Sequence, residues 1–196
     1  MTVEAEFIES FGSIWSESDD LELAALTRFL KGTELDVEGL LGVAKTDTSK
    51  PYGRQVLFQN DDLEVMVASW TRGVPCAPHD HGGSSGAVRV LQGRSRHLVW
   101  ALVDGKLQVV KEEIVAAGGV MVCGADMVHS MGDDDAAEPL VTLHMYTKSV
   151  DHMVVYDLDS LETLVVEGSC GAWIPRDRPE MVRTRLQGIC AAASVR

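Results

Sequence analysis

Ala-Pro-His-Asp-His-Gly-Gly-Ser-Ser-Gly, residues 77–86, sets His79 and His81 two positions apart. On a strand, side chains at i and i+2 share a face, so the two imidazoles can converge on one point. Neutral imidazole nitrogens bind iron, zinc, copper or nickel. The glycines and serines beside them leave room for a further ligand. The pair by itself is a weak signal, and surface or half-satisfied core histidines more often account for it.

A second cluster lies in Val-Thr-Leu-His-Met-Tyr-Thr-Lys, residues 141–148. Thr142, His144 and Tyr146 are again spaced by two and share a face. A hydroxyl, an imidazole and a phenol in a row can form one hydrogen-bond relay. Such a relay holds the phenol proton where it can reach an oxygen at a nearby metal. A core strand whose polar groups satisfy one another has the same pattern.

These residues must be carried by strands, and the sequence supplies them. From about Tyr52 the apolar period is two, in short Val- and Leu-rich runs at 54–60, 63–70, 87–93, 95–103, 106–115, 119–124, 140–146, 153–158 and 163–168. Turn residues separate them, and Val-Asp-Gly-Lys (103–106) reads as a tight hairpin. Residues 3–44 instead repeat every three or four positions, as helices do. Within them, 3–15 and 19–32 form two helices and 36–45 a short third. Asp19 and Asp20 cap the second, and Gly32 stops it. The expected fold is mainly β: a β-barrel or double-sheet jelly roll with an N-terminal helical cap. One domain spans 1–196, with the cap at 1–48, the barrel at 50–168 and a C-terminal arm of unstated role at 169–196.

Composition narrows the partners. Seventeen basic against thirty acidic residues give a formal charge of −13, the wrong sign for nucleic acid or an anionic membrane. No apolar run approaches the ~18–20 residues that span a bilayer, and the acidic start lacks the features of a signal peptide. The four cysteines (76, 123, 170, 190) have no paired or finger spacing, so a reducing cytoplasmic setting is expected.

The two clusters resemble known motifs. His79 and His81, followed by Gly86 and Gly93, resemble the first cupin motif, with Gly86 where that motif has a glutamate ligand. Residues 118–134, from Gly118 through His129, loosely resemble the second cupin motif, which supplies one more histidine. The resemblance therefore implies a three-histidine metal site: His79, His81 and His129. Thr142-x-His144-x-Tyr146 then resembles the Ser-x-His-x-Tyr run of the cysteine dioxygenase family of thiol dioxygenases. Tyr52-Gly53-Arg54 matches that family's Tyr-x-Arg, and Trp70 its tryptophan on the strand leading to the histidine pair. The likeness covers roughly residues 50–147.

Membership in that family implies Fe(II) as cofactor, with a small thiol and O2 as substrates and a sulfinic acid as product. Tyr146, His144 and Thr142 become the catalytic relay, and Tyr52, Arg54 and Trp70 the substrate contacts, with Arg54 clamping a carboxylate. Relatives that prefer 3-mercaptopropionate have glutamine at the Arg54 position and an arginine soon after the His-x-Tyr run. Here the next arginine after Tyr146 is Arg176, which favours L-cysteine. The family's mammalian members carry at the Gly86 position a cysteine bonded to the tyrosine as a thioether, a link impossible here. The rival readings are a 3-mercaptopropionate or other small-thiol dioxygenase, a different cupin enzyme, and a non-catalytic metal- or metabolite-binding cupin. His97, His152 and the cysteines are expected to be structural or exposed, with Cys76 the one that could still line the pocket. Asp133–Asp135 is expected to be a solvated turn.

Overall fold

The computed structural model describes residues 23–134 and 137–195. The expected first helix and the Asp19 and Asp20 caps lie outside them. Helix α1 covers Leu23–Gly32 and buries Leu26, Phe29 and Leu30 along one side. Its last carbonyls are met by the Arg89 guanidinium, which donates to Leu30 O at 2.9 Å and Thr33 O at 3.1 Å, a cation where the helix dipole favours one. Helix α2, Val37–Val43, is capped by Asp36, whose carboxylate accepts from Gly39 N–H at 3.0 Å.

Eleven strands follow in the described residues: β1 Tyr52–Gln59, β2 Glu64–Trp70, β3 Gly86–Gln92, β4 Arg94–Val103, β5 Lys106–Ala116, β6 Val120–Cys123, β7 Val128–Asp133, β8 Val141–Tyr146, β9 His152–Asp157, β10 Glu162–Glu167 and β11 Val182–Gln187. Two exceed the sequence expectation. β7 is short and polar, and β11 lies in the C-terminal arm, where it pairs with β10. The β4–β5 hairpin turns at Asp104 and Gly105, both at positive φ, as a two-residue hairpin turn requires.

One sheet has the order β1-β2-β8-β3-β6. The ribbons β5-β4-β7 and β9-β10-β11 form the other layer, stitched by residues 76–80. His79 exchanges backbone bonds with His129, and Asp80 N–H donates to Val154 O. The result is a double sheet with open edges, the jelly-roll alternative rather than a closed barrel. Every residue of β2 and β8 is buried because both faces of the first sheet are covered. Val65, Val67, Leu143 and Met145 pack with Leu26 and Leu30 on the helix side. Met66, Ala68, Val88, Val90 and Tyr146 face the other sheet. The site lies between the layers, on this inner face. Asp133 departs from the solvated-turn expectation: it ends β7 with its side chain 1% exposed, 3.7 Å from Arg72.

Candidate metal and thiol site

Two segments bring three histidines together. The β-bridge between His79 and His129 puts these residues side by side. Asp80, between the first two histidines, points away and accepts from Val154 N–H at 2.8 Å and Gly82 N–H at 3.1 Å. That anchorage fixes the loop from which His81 projects. The ring nitrogens of His79, His81 and His129 lie within 4.8 Å of one another, and all three residues are buried. Burial, reinforced at His81 and His129 by neighbouring histidines, holds their pKa values low, to about 4 for His79. They are neutral at pH 7, each with a lone pair a metal ion could take.

The surroundings select which nitrogens are free. His79 Nδ1–H donates to Ala77 O at 2.9 Å, leaving Nε2 with its lone pair. His129 Nε2 and His81 Nε2 face each other at 3.2 Å, while buried His81 Nδ1 has no partner. With Nδ1 protonated, His81 turns a lone pair toward that of His129, an arrangement a cation reconciles. Two nitrogens bound at ~2.1 Å and at right angles lie about 3 Å apart, so the donor set fits a metal ion.

Beside it runs the second cluster. On β8, Tyr146 pairs with Glu64 on one side and Gly86 on the other, and His144 with Met66 and Val88. Trp70 Nε1–H donates to Thr142 Oγ at 2.8 Å. Thr142 Oγ is 2.8 Å from His144 Nε2, and His144 Nδ1 is 3.0 Å from the Tyr146 hydroxyl. Indole only donates, so the Thr142 proton is best placed on the His144 side. His144 then donates from Nδ1 to Tyr146, and the phenol proton is free to point elsewhere. Burial raises the Tyr146 pKa well above its usual value and lowers that of His144 to about 3. The phenol is therefore a donor and the imidazole neutral.

The chamber beside the histidines has a volume of about 20 Å³ and is lined in part by Tyr52, Arg54, Glu64, His79, His81 and Tyr146. A groove of about 930 Å³ lies beyond it, sharing Tyr52, Arg54, Val150 and Gly168. Arg54 does not stand free. Its Nη2 donates to Glu64 Oε1 at 2.5 Å and its Nη1 to Gly168 O at 2.7 Å. Glu64 is 1% exposed and also accepts from Gln59 and from Val150 N–H, each at 3.3 Å. Of the expected substrate contacts, Tyr52 and Arg54 line the chamber, whereas Trp70 packs against Tyr52 at a tilt, with ring centroids 4.8 Å apart, and anchors Thr142.

The sequence reading missed several participants. Glu64 carries no motif, but its place on β2 opposite Tyr146 follows from strand pairing. The C-terminal segment contributes Gly171 and Ala172 to the chamber, and Ala172 N–H donates to the Tyr52 hydroxyl at 2.9 Å. His97, expected to be structural or exposed, is buried. Its Nε2 lies 2.8 Å from His129 Nδ1 and its Nδ1 2.9 Å from Glu113 Oε1. Cys76 is buried, accepts from Met131 N–H at 3.2 Å and has its thiol pKa pushed up to about 12 by burial. Cys123 Sγ is 3.6 Å from His129 Nδ1.

A three-histidine cluster between the layers of a cupin-type double sheet, with a Thr-His-Tyr relay alongside, defines the class. The family model for cysteine dioxygenase type I matches residues 20–159, and the chain belongs to that family. Cysteine dioxygenase type 1 of Bos taurus is 24% identical over 153 residues, covering 69% of this chain and 76% of that protein. The Homo sapiens protein of the same name is 26% identical over 144 residues, covering 71% and 72%. Among solved structures, a Klebsiella pneumoniae protein with a double-stranded β-helix domain aligns with TM-score 0.48 and 15% identity over 60% of this chain and 94% of its own. No helix among the described residues is long and apolar enough to cross a membrane.

Proposed function

We propose that this chain is an iron-dependent thiol dioxygenase that converts L-cysteine and O2 to cysteine sulfinic acid in a reducing cytoplasm. The observation that carries the reading is the convergence of three buried neutral imidazoles beside a Thr-His-Tyr hydrogen-bond relay. Family membership and the four free cysteines support it. His79, His81 and His129 would hold Fe(II), which when bound supplies a Lewis acid for the thiol and the redox chemistry of oxygen. The overall reaction balances without an external reductant, because both oxygen atoms of O2 end on the substrate sulfur. Tyr146 donates a hydrogen bond to the substrate carboxylate or to an oxygen on the reacting sulfur. His144 and Thr142 hold that phenol in place, and Trp70 holds Thr142. Arg54 receives the substrate carboxylate.

The Arg54–Glu64 pair favours a second reading of the substrate. Glu64 already supplies Arg54 with a carboxylate. A thiol that brings none, such as cysteamine, leaves that pair intact, whereas cysteine must displace Glu64 or share the guanidinium with it. Oxygen uptake by the iron-loaded protein with cysteine, cysteamine and 3-mercaptopropionate, with mass spectrometry of the product, tests both readings. A sulfinate from cysteine at the highest kcat/KM supports the first, and cysteamine ahead of cysteine supports the second. No uptake with any of the three removes the dioxygenase assignment.

A further inference from the structure

We infer that His97, backed by Glu113, is a positioning residue for His129: it fixes which nitrogen of that ring faces the metal and holds the ring's orientation. The inference rests on the metal centre proposed above. It comes from three neighbouring strands. Glu113 on β5 stands directly opposite His97 on β4. His129 on β7 pairs with Val99 of β4, which makes His97 its diagonal neighbour on the same face. The side chains form an unbroken line, with 2.9 Å from Glu113 Oε1 to His97 Nδ1 and 2.8 Å from His97 Nε2 to His129 Nδ1.

With a single ring proton on each of His97 and His129, one placement satisfies both rings and the carboxylate. A carboxylate accepts and does not donate, so His97 carries its hydrogen on Nδ1. Its Nε2 then has only a lone pair and must accept, so His129 donates from Nδ1. The His129 Nε2 is left with its lone pair directed at the histidine cluster, where His81 Nε2 lies 3.2 Å away. The opposite tautomer would send an N–H into the cluster and remove a ligand. Lys111 donates to the other Glu113 oxygen at 2.7 Å, which keeps Oε1 turned toward His97. Without His97, the thiol of Cys123 at 3.6 Å is the remaining neighbour of His129 Nδ1, and it is a weak acceptor. Partners that orient a ligating histidine typically carry ten- to hundredfold in metal affinity.

The test measures Fe(II) affinity of the whole protein by competition with a chelator, together with the visible spectrum of the Co(II)-substituted form. His97→Phe keeps a ring but offers no acceptor. It is expected to weaken Fe(II) binding roughly ten- to hundredfold and to shift the Co(II) bands. His97→Gln, whose amide oxygen can accept from His129, is expected to recover most of the affinity. Glu113→Gln sits on an edge strand where the fold is not at stake; it should weaken binding by a smaller factor and still move the Co(II) bands. Wild-type affinity and unchanged bands in Glu113→Gln and in folded His97→Phe overturn the inference, as does a His97→Gln protein no better than His97→Phe. His81→Ala separates the two levels. If it binds Fe(II) like wild type, the metal centre itself is wrong; if it loses Fe(II) while His97→Phe does not, only the positioning role fails.

Discussion

His129 and Arg54 belong to the same candidate site and are prepared in opposite ways. Around His129 the partners are already in line: Glu113, His97 and the backbone bridge to His79 leave Nε2 aimed at its neighbours. Around Arg54 the charge is already spent on Glu64 and the Gly168 carbonyl. Binding a metal at the first requires little rearrangement, whereas binding a carboxylate at the second requires an exchange of partners. The metal half is thus preorganised, and the substrate half is set by a competition between two carboxylates. Substitutions in the first should abolish function, and substitutions in the second should redistribute it among substrates.

The largest effect tests the preorganised half. His81→Ala should lose iron and oxygen uptake together, with activity down by at least about a thousandfold, as when an essential catalytic group is removed, while the circular dichroism of the fold is retained. Full iron occupancy in that variant would take His81 out of the ligand set.

The competing half is probed by Glu64→Gln and by the double variant Arg54→Gln/Glu64→Gln. Arg54→Gln alone would strand a buried carboxylate, a change that costs about 3–5 kcal/mol, so its loss of activity would mix binding with stability. Glu64→Gln frees the guanidinium and should raise the ratio of kcat/KM for cysteine over cysteamine about tenfold. The double variant should lower kcat/KM for cysteine roughly ten- to hundredfold below Glu64→Gln, the worth of a charge-assisted pair of ~1.5–3 kcal/mol. Cysteamine should change little between the two variants. A cysteine-to-cysteamine ratio indifferent to both substitutions would mean that the carboxylate is bound elsewhere, and the site would then be redrawn without Arg54.

Acid exposes the cost of burying neutral imidazoles. The His79 pKa is held at about 4 in the fold, against about 6.5 when unfolded. Below pH 6.5 the unfolded chain takes up the proton first, so stability present at pH 7 falls progressively down to about pH 4. At pH 5 the loss from His79 alone is about 2 kcal/mol. His144, held at about 3, adds to it. The urea midpoint of the metal-free protein should therefore drop between pH 7.5 and pH 5.0. A midpoint that does not move would show that these rings are not buried neutral.

The same contrast explains what could be read from the sequence. The His79–His81 pair and the relay were legible because each lies on its own short stretch with a spacing of two, the strand period, whereas His129 was legible only through the likeness of residues 118–134 to the second cupin motif. Glu64 and Glu113 were not, because each acts through a neighbouring strand and register is not written in any one segment. His97 was partly legible. Arg94 and Arg96 are exposed and alternate with buried Ser95 and His97, so parity alone turns His97 inward, although not toward His129. β7 was hidden by its composition: Val-His-Ser-Met-Gly-Asp is too polar for a period-two hydrophobic signal. The C-terminal arm gave no pattern because its contribution to the chamber includes backbone, such as the Ala172 N–H that donates to the Tyr52 hydroxyl.

The smallest effect concerns a bond that should not exist. Gly86 pairs with Tyr146 on one side and with Cys123 on the other. A β-carbon built on Gly86 would come within 2.5 Å of the Tyr146 ring, so the ring lies in space that a side chain there would claim. With no sulfur at that position, a thioether to Tyr146 could come only from elsewhere. Cys76 is held against Met131 N–H, and Cys123 is a full strand beyond the glycine, beside His129. Both thiols are buried, with pKa values pushed up to about 12, and so carry little of the thiolate form that reacts. The intact mass of the isolated protein should equal the sequence mass with four free thiols. A deficit of about two hydrogens mapped to Tyr146 with Cys76 or Cys123 would mean that the glycine gap lets a more distant thiol in. The relay half of the site would then be covalently locked, and the contrast with the exchangeable Arg54 half would be sharper still.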